Sequence, residues 1–268
     1  MKTKLLLKKL SAYFPKKIAD SRDYIGIQVN KIKEETNTIF LCLDFDEITY
    51  DYIIKNHLED KIDLIITHHP FIFGKKSKVL KFDEKKRLLY EKMEQLNIPI
   101  YSYHTNFDTG KNGMNDALAE SLDLQNIKQL QLEPMARGGE LKEEMDVIEF
   151  SHYALEKLKV DYGTLINEGK KRIKTVAIIG GGGWHSYEIA QKENYDIFIS
   201  GDIPHHGRRG VVTSKYNFLN VPHEVERIFM PQMEKVLKSI NSDFEILSLN
   251  HEDLPLLICN KSNCISLK

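Results

Sequence analysis

Apolar residues in the first half of the chain come in three short runs rich in β-branched and aromatic side chains, at residues 38–43 (TIFLCL), 62–67 (IDLIIT) and 98–103 (IPIYSY). Each reads as a buried strand. Between them, residues 50–58 and 83–96 carry apolar positions at helical spacing, so the order is strand, helix, strand, helix, strand. That order predicts a sheet of parallel strands joined by helical crossovers. Leu5, Leu6, Leu10 and Tyr13 line one face of an amphipathic N-terminal helix, and residues 112–122 read as another helix. From 125 to 146 the periodicity fades, and Pro134, Gly138 and Gly139 punctuate a polar stretch that reads as a lobe boundary. Alternation then resumes, with strands expected at 147–150, 175–179 and 196–200 and helices at 152–158 and 187–192. A helix over 222–239, kinked or broken at Pro231, and strands at 244–247 and 256–259 close the chain.

Composition narrows the class. The 268 residues hold 38 Lys+Arg against 39 Asp+Glu, a formal charge of −1, so there is no strong nucleic-acid signal of the kind a phosphate-binding surface gives. With 41% hydrophobic and 29% charged residues, and only 8 Pro and 15 Gly, the chain is globular rather than disordered. Cys42, Cys259 and Cys264 form no C-x-x-C pair, and their odd number argues against a disulfide framework, so a cytoplasmic location is expected. Lys8 and Lys9 interrupt the first leucines well short of a secretory core, and no run approaches a membrane span.

The ten histidines carry the chemistry. His68, His69, His104, His205 and His206 all fall just beyond the carboxyl end of a predicted strand, where open α/β sheets bind ligands. Thr67-His68-His69-Pro70 ends one strand; the chain turns there, which lets both imidazoles face one cavity, the alternative being a solvated loop. In His104-Thr105-Asn106-Phe107-Asp108 the His and the carboxylate either meet at one cation or serve a turn in which Asn106 and Asp108 bond the backbone. Pro222 begins a helix whose His223 and Glu226, three apart, share a face, although acidic residues also favour helix starts for dipole reasons. Ser200-Gly201-Asp202-Ile203-Pro204-His205-His206 offers further polar groups to a substrate, or else a solvated turn. Four such elements together point to a nitrogen and oxygen metal site suited to Zn, Mn, Fe, Co or Ni, and a dinuclear centre uses so many ligands more naturally than a mononuclear one.

The segments IITHHPFIF, YSYHTNFDTGKNGMNDALAE, ISGDIPHH and PHEVE, in that order, resemble the Nif-three-like family, many of whose members carry the name GTP cyclohydrolase I type 2 homologue. SRDYIGIQV, through Asp23, Gly26 and Gln28, is similar to the family's early segment, with Asn30 where a glycine is usual. The resemblance implies a two-lobed α/β fold, each lobe a mixed sheet flanked by helices, with no inserted middle domain. One lobe is expected over residues 1–128 completed by 220–268, the other over 129–219. It implies two divalent transition-metal ions per chain on His68, His69, Asp108, His223 and Glu226, and a toroidal homohexamer. By the same resemblance His104 and His206 are candidate catalytic groups and Asp202 a candidate substrate contact, to which His205 is added from its place after the strand. The function it implies is a metal-dependent hydrolase acting on a nucleotide-like or phosphoester small molecule. A non-catalytic metal- or ligand-binding regulatory protein is the alternative.

Residues 180–183, four glycines, satisfy neither common phosphate-loop pattern and read as a structural turn; Trp184 and His185 beside them read as rim or core residues. Ser102 lacks a nucleophile elbow. The lysine-rich stretch 74–87 reads as a solvated face, placed to attract an anionic substrate if it lies near the histidine pair.

Overall fold

In the computed structural model the described residues are 1–252 with 254, 255 and 258. The first half of the chain supplies helix α1 (Thr3–Tyr13), strands β1 (Gly26–Val29) and β2 (Thr38–Cys42), α2 (Glu47–Lys55), β3 (Leu64–Thr67), α3 (Lys76–Phe82), α4 (Glu84–Leu96), β4 (Ile100–Ser102), α5 (Thr105–Thr109) and α6 (Met114–Ser121). Only residues 122–124 separate α6 from β5 (Gln125–Gln129), which is followed by β6 (Arg137–Asp146), α7 (Val147–Leu158), β7 (Thr164–Asn167) and β8 (Arg172–Ile178). Then come α8 (Tyr187–Lys192), β9 (Ile197–Ser200), α9 (His205–Thr213), β10 (Asn217–Asn220), α10 (Phe229–Ile240) and β11 (Glu245–Ser248).

Two mixed sheets result. The first has the order β1-β4-β3-β2-β11, with three parallel pairings and only β1 against β4 antiparallel, and the second the order β5-β6-β8-β9-β10-β7, parallel across β8, β9 and β10. The apolar runs are continuous because each central strand is buried on both faces. Ile39, Leu41, Leu64 and Ile66 of the first sheet share one core with Val176, Ile178, Ile197, Ile199 and Leu219 of the second. Their neighbours face outward: Phe40, Cys42 and Ile65 pack beneath α2 and α4, and Ala177, Phe198 and Phe218 pack beneath α8 and α9. A shared inner core fixes the two sheets face to face, so the carboxyl ends of both parallel sets open on one region. No helix among the described residues is long and apolar enough to cross a membrane.

Some expected elements differ. Residues 147–150 are not a strand but the first turn of α7, capped by the Asp146 side chain on the Ile148 amide. The stretch 125–146 is not irregular but holds β5 and β6. The glycines that interrupt its pattern are needed for packing: at Gly138 a Cβ would enter the Tyr195 ring. The terminal helix breaks before Pro231 rather than at it, because a 3-10 turn, His223–Ile228, precedes α10 and Pro231 sits in the first turn of α10, where no N–H is required. β1, β7 and β10 were not anticipated. Of the strand expected at 256–259 only residue 258 is among the described residues, and Cys259 and Cys264 lie outside them; Cys42 is free and buried. Asn30, standing for the usual glycine, takes φ 57 and keeps the turn by donating from Nδ2 to the Met93 and Ile98 carbonyls.

Candidate metal centre

Both parallel sets deliver histidines where their strands end. His68 and His69 follow β3, His104 follows β4 by two residues, and His223 follows β10 by three. Asp108 is carried inward on the short α5, and Glu226 sits three residues after His223 in a 3-10 turn, a geometry that stacks i and i+3 on one line.

Glu226 Oε2 is the meeting point. His69 Nε2 lies 3.0 Å from it, His223 Nε2 3.1 Å and His68 Nε2 3.6 Å. His68 Nε2 is also 3.6 Å from Asp108 Oδ1. Each imidazole is held from behind at its other nitrogen. His68 Nδ1 donates to the Tyr103 carbonyl at 3.0 Å, His69 Nδ1 pairs with Asp44 Oδ2 at 2.7 Å, and His223 Nδ1 pairs with Asp202 Oδ2 at 2.5 Å. His104 Nδ1 bonds Asp23 Oδ1 at 2.9 Å, and Asp23 Oδ2 accepts from the Thr105 amide and hydroxyl, leaving His104 Nε2 uncommitted.

Charge in the cluster is balanced by protons. Burial opposes ionisation of His69, but hydrogen bonds to Asp44 and Glu226 prevail and push it up to about 10. The bond to Glu226 raises His223 to about 9 against the cost of burial. His68, enclosed by Phe107 and Phe229, is held well below the usual histidine range by burial and stays neutral. Burial and the neighbouring charge of Glu226 push Asp108 well above the usual carboxylate range. In Glu226 burial is outweighed by the surrounding imidazoles and by the bonds from His223 and His69, so it remains ionised. Burial also opposes the charge on Asp23, yet the bonds from His104 and Thr105 bring it down to about 2.

Two buried atoms resist this accounting: His68 Nε2 and Asp108 Oδ1 have no hydrogen-bond partner. An unpaired buried polar atom costs about 1–3 kcal/mol, and at 3.6 Å the two are too far apart to satisfy each other. A cation between them satisfies both, so the donor set fits a metal. Two groups of side chains have the spacing to hold one, His68 with His69 and His104, and His69 with His223 and Glu226, sharing His69. The carboxylates and carbonyl behind the rings are the usual partners of metal-binding histidines.

The cluster opens into a cavity of about 630 Å³ between the sheets, lined by His69, His104, Asp108, His223 and Glu226 among others. A smaller hollow of about 340 Å³ near Pro231 and Lys159 lies away from the histidines and holds none of this chemistry. Of the residues singled out in the sequence, Asp202 stands behind His223 rather than in the cavity wall. His205 and His206 are exposed at the start of α9 outside the cavity, with the His206 ring 5.4 Å from Trp184. His185 does line the cavity, as do Gly180, Gly182 and Gly183. Asp44 was missed by sequence reasoning, and Asp23 was noted only as part of a motif; Asp44 follows β2 by two residues and obeys the same strand-end rule that picks out the histidines.

The fold has solved counterparts. A Bacillus cereus protein related to NIF3 superposes with a TM-score of 0.84 at 20% identity, covering 96% of this chain and 99% of that one. Reduced HcgD from Methanocaldococcus jannaschii gives 0.75 at 26% identity, over 93% and 98%. Two sequence relatives named GTP cyclohydrolase 1 type 2 homolog are each 29% identical. The one from Clostridium acetobutylicum aligns over 82% of this chain and 81% of its own, that from Methanocaldococcus jannaschii over 93% and 100%. Residues 1–255, a span that includes both sheets and every histidine of the cluster, match Duf34/NIF3 (NGG1p interacting factor 3), and the chain belongs to that family.

Proposed function

We propose that the protein is a dinuclear-metal-dependent hydrolase acting on a nucleotide-like or phosphoester substrate. The observation that carries the reading is the buried pair His68 Nε2 and Asp108 Oδ1, unpartnered and aimed at the spot where Glu226 Oε2 already gathers two more imidazoles. His68, His69, Asp108, His223 and Glu226 are the ligands in this reading. When bound, a pair of divalent cations supplies Lewis-acid polarisation and makes water acidic near neutral pH. Asp44 and Asp202 fix the rings of His69 and His223. His104, with Nδ1 engaged by Asp23, holds or passes a proton at Nε2. It takes that role ahead of His206, which lies outside this chain's cavity. The names carried by the relatives favour a nucleotide-like substrate. A toroidal homohexamer and a cytoplasmic location belong to the same reading.

Elemental analysis of the purified protein is expected to give two transition-metal ions per chain, falling towards zero in His68→Ala and Glu226→Ala. A screen of nucleotides and phosphoesters is expected to find turnover that Asp108→Ala reduces by at least ~100-fold, the scale on which loss of catalytic groups is felt. Full occupancy with no turnover on any compound would transfer the argument to a metal- or ligand-binding regulatory protein. Light scattering that returns a monomer would remove the hexamer.

A further inference from the structure

The charge and shape of the cavity restrict what enters it. Five carboxylates line it, those of Asp20, Asp44, Asp108, Glu133 and Glu226, and no Lys or Arg does among the described residues. Two divalent cations offset four of the five and Arg22 pairs with another, but the carboxylates of Asp23 and Asp202 stand directly behind His104 and His223, so the loaded site remains negative before any substrate arrives. The lysine-rich stretch that follows the histidine pair does not correct this. Lys76 lies over the Tyr90 ring at 4.1 Å and Lys86 over the Phe71 ring at 4.5 Å, and no lysine between 74 and 87 reaches the cavity. Arg22, the cation nearest in sequence to the wall residue Asp20, is paired with it at 3.7 Å and is itself almost fully exposed.

The same cavity has an aromatic wall. Phe73 lines it with 65% of its surface exposed, its ring 6.3 Å from His104 and 5.6 Å from Tyr24. An exposed phenyl beside a polar site has no core to pack against, and it presents a face on which a flat ring can lie. Met135 and Ile179 add apolar surface elsewhere on the lining. Glu133 is tied by Ser186 and by the Met135 amide, and its carboxylate keeps lone pairs for further donors.

We propose that this cavity takes its ligand through a planar, uncharged ring bearing N–H donors, a nucleobase or kindred cyclic amide, and that it rejects polyphosphates. The proposal rests on the metal-hydrolase reading above and narrows its substrate class. A nucleoside triphosphate brings about four negative charges into a wall that is already negative, and juxtaposed like charges oppose binding strongly. A neutral ring meets no such penalty.

The test uses the metal-loaded full chain, its metal content measured before and after, and calorimetric binding of guanosine and of GTP. Guanosine is expected to bind at least about tenfold more tightly than GTP. Raising salt from about 0.05 M to about 0.5 M should strengthen GTP binding, because screening relieves repulsion. Phe73→Ala, at an exposed position that does not support the fold, is expected to weaken guanosine roughly tenfold, the scale of one lost base–aromatic stack. GTP binding as tight as guanosine and weakened by salt overturns the proposal, as does a Phe73→Ala variant that binds guanosine unchanged. Failure of both compounds to bind metal-replete protein also overturns it while leaving the metal centre standing. Absence of metal removes the underlying reading instead.

Discussion

Gly181 is held at φ +61, and a Cβ on it would run into Glu226 Oε1. The glycine turn that resembles an incomplete phosphate loop is therefore shaped by the carboxylate beneath it. The neighbouring Gly180 amide is fixed by Asn115 Oδ1, while Asn115 Nδ2 holds the Asp108 carbonyl, so one side chain ties the turn to the helix of a second candidate ligand. Alanine at 181 adds about 1–2 kcal/mol of backbone strain and displaces Glu226. Gly181→Ala should consequently lower metal affinity at least tenfold, read by competition with a chromophoric chelator, while costing only a few degrees of melting temperature. Asp44→Asn should cost ~10–100-fold in metal affinity, as loss of a partner behind a ligating histidine does. Unchanged affinity in both variants would refute the ligand assignment. At this scale the sequence showed His68, His69 and His104 as histidines at strand ends, Asp108 by its spacing from His104, and His223 with Glu226 by their spacing behind Pro222, because each of these is a local pattern. The sequence could not pair Asp23 and Asp44 with their histidines, since a carboxylate behind a ring is joined to it only by the fold: Asp23 is 81 residues from His104 and Asp44 is 25 from His69.

At the scale of elements the two sheets repeat one device that shared no readable sequence repeat. Asp63, just before β3, accepts from the Asn37 and Thr38 amides at the start of β2; Asp196, just before β9, accepts from the Lys174 and Thr175 amides in β8 and from Lys170 Nζ. Each carboxylate staples the amino ends of neighbouring parallel strands and so sets the register that delivers the histidines at the other end. Burial opposes the charge on Asp196, but these bonds prevail and hold its carboxyl below the ordinary value. With the folded value below the unfolded one, the stabilisation is complete above about pH 4 and is lost as pH falls through the folded value. Asp196→Ala should lower the unfolding free energy by about 2 kcal/mol at pH 7, because two backbone donors lose their acceptor. The gap between variant and wild type in urea titrations should narrow on moving to pH 3, and an equal gap at both would contradict the assignment. β2, β3, β4, β8 and β9 were legible because burial on both faces writes itself as continuous apolar runs, whereas the central β10 (NFLN) has asparagine at both ends and did not stand out. β5 was not, since its residues are almost all exposed, and the apolar start of α7 imitates a strand.

The whole molecule places a candidate metal centre across its two halves: His68, His69 and Asp108 follow strands of the first sheet, His223 and Glu226 follow β10 of the second. In its cation-free form the junction is held by protons on His69 and His223 shared with Glu226, and it leaves His68 Nε2 and Asp108 Oδ1 unsatisfied. A cation bound there would bridge the sheets and remove that defect, and since the unfolded chain cannot assemble the site, binding becomes folding stability. At a free metal concentration a thousandfold above the dissociation constant the gain is about 4 kcal/mol. At ~2–4 °C per kcal/mol for a chain of this size, metal should raise the melting temperature by roughly 10 °C or somewhat more. Calorimetric scans of metal-loaded and chelator-treated protein measure this directly. In Glu226→Gln the shift should nearly vanish, because Glu226 Oε2 is the atom on which side chains from both sheets converge. Should the loaded and stripped proteins melt together, the cluster would be a proton-balanced core contact and the sheets would owe their association to the shared apolar core alone.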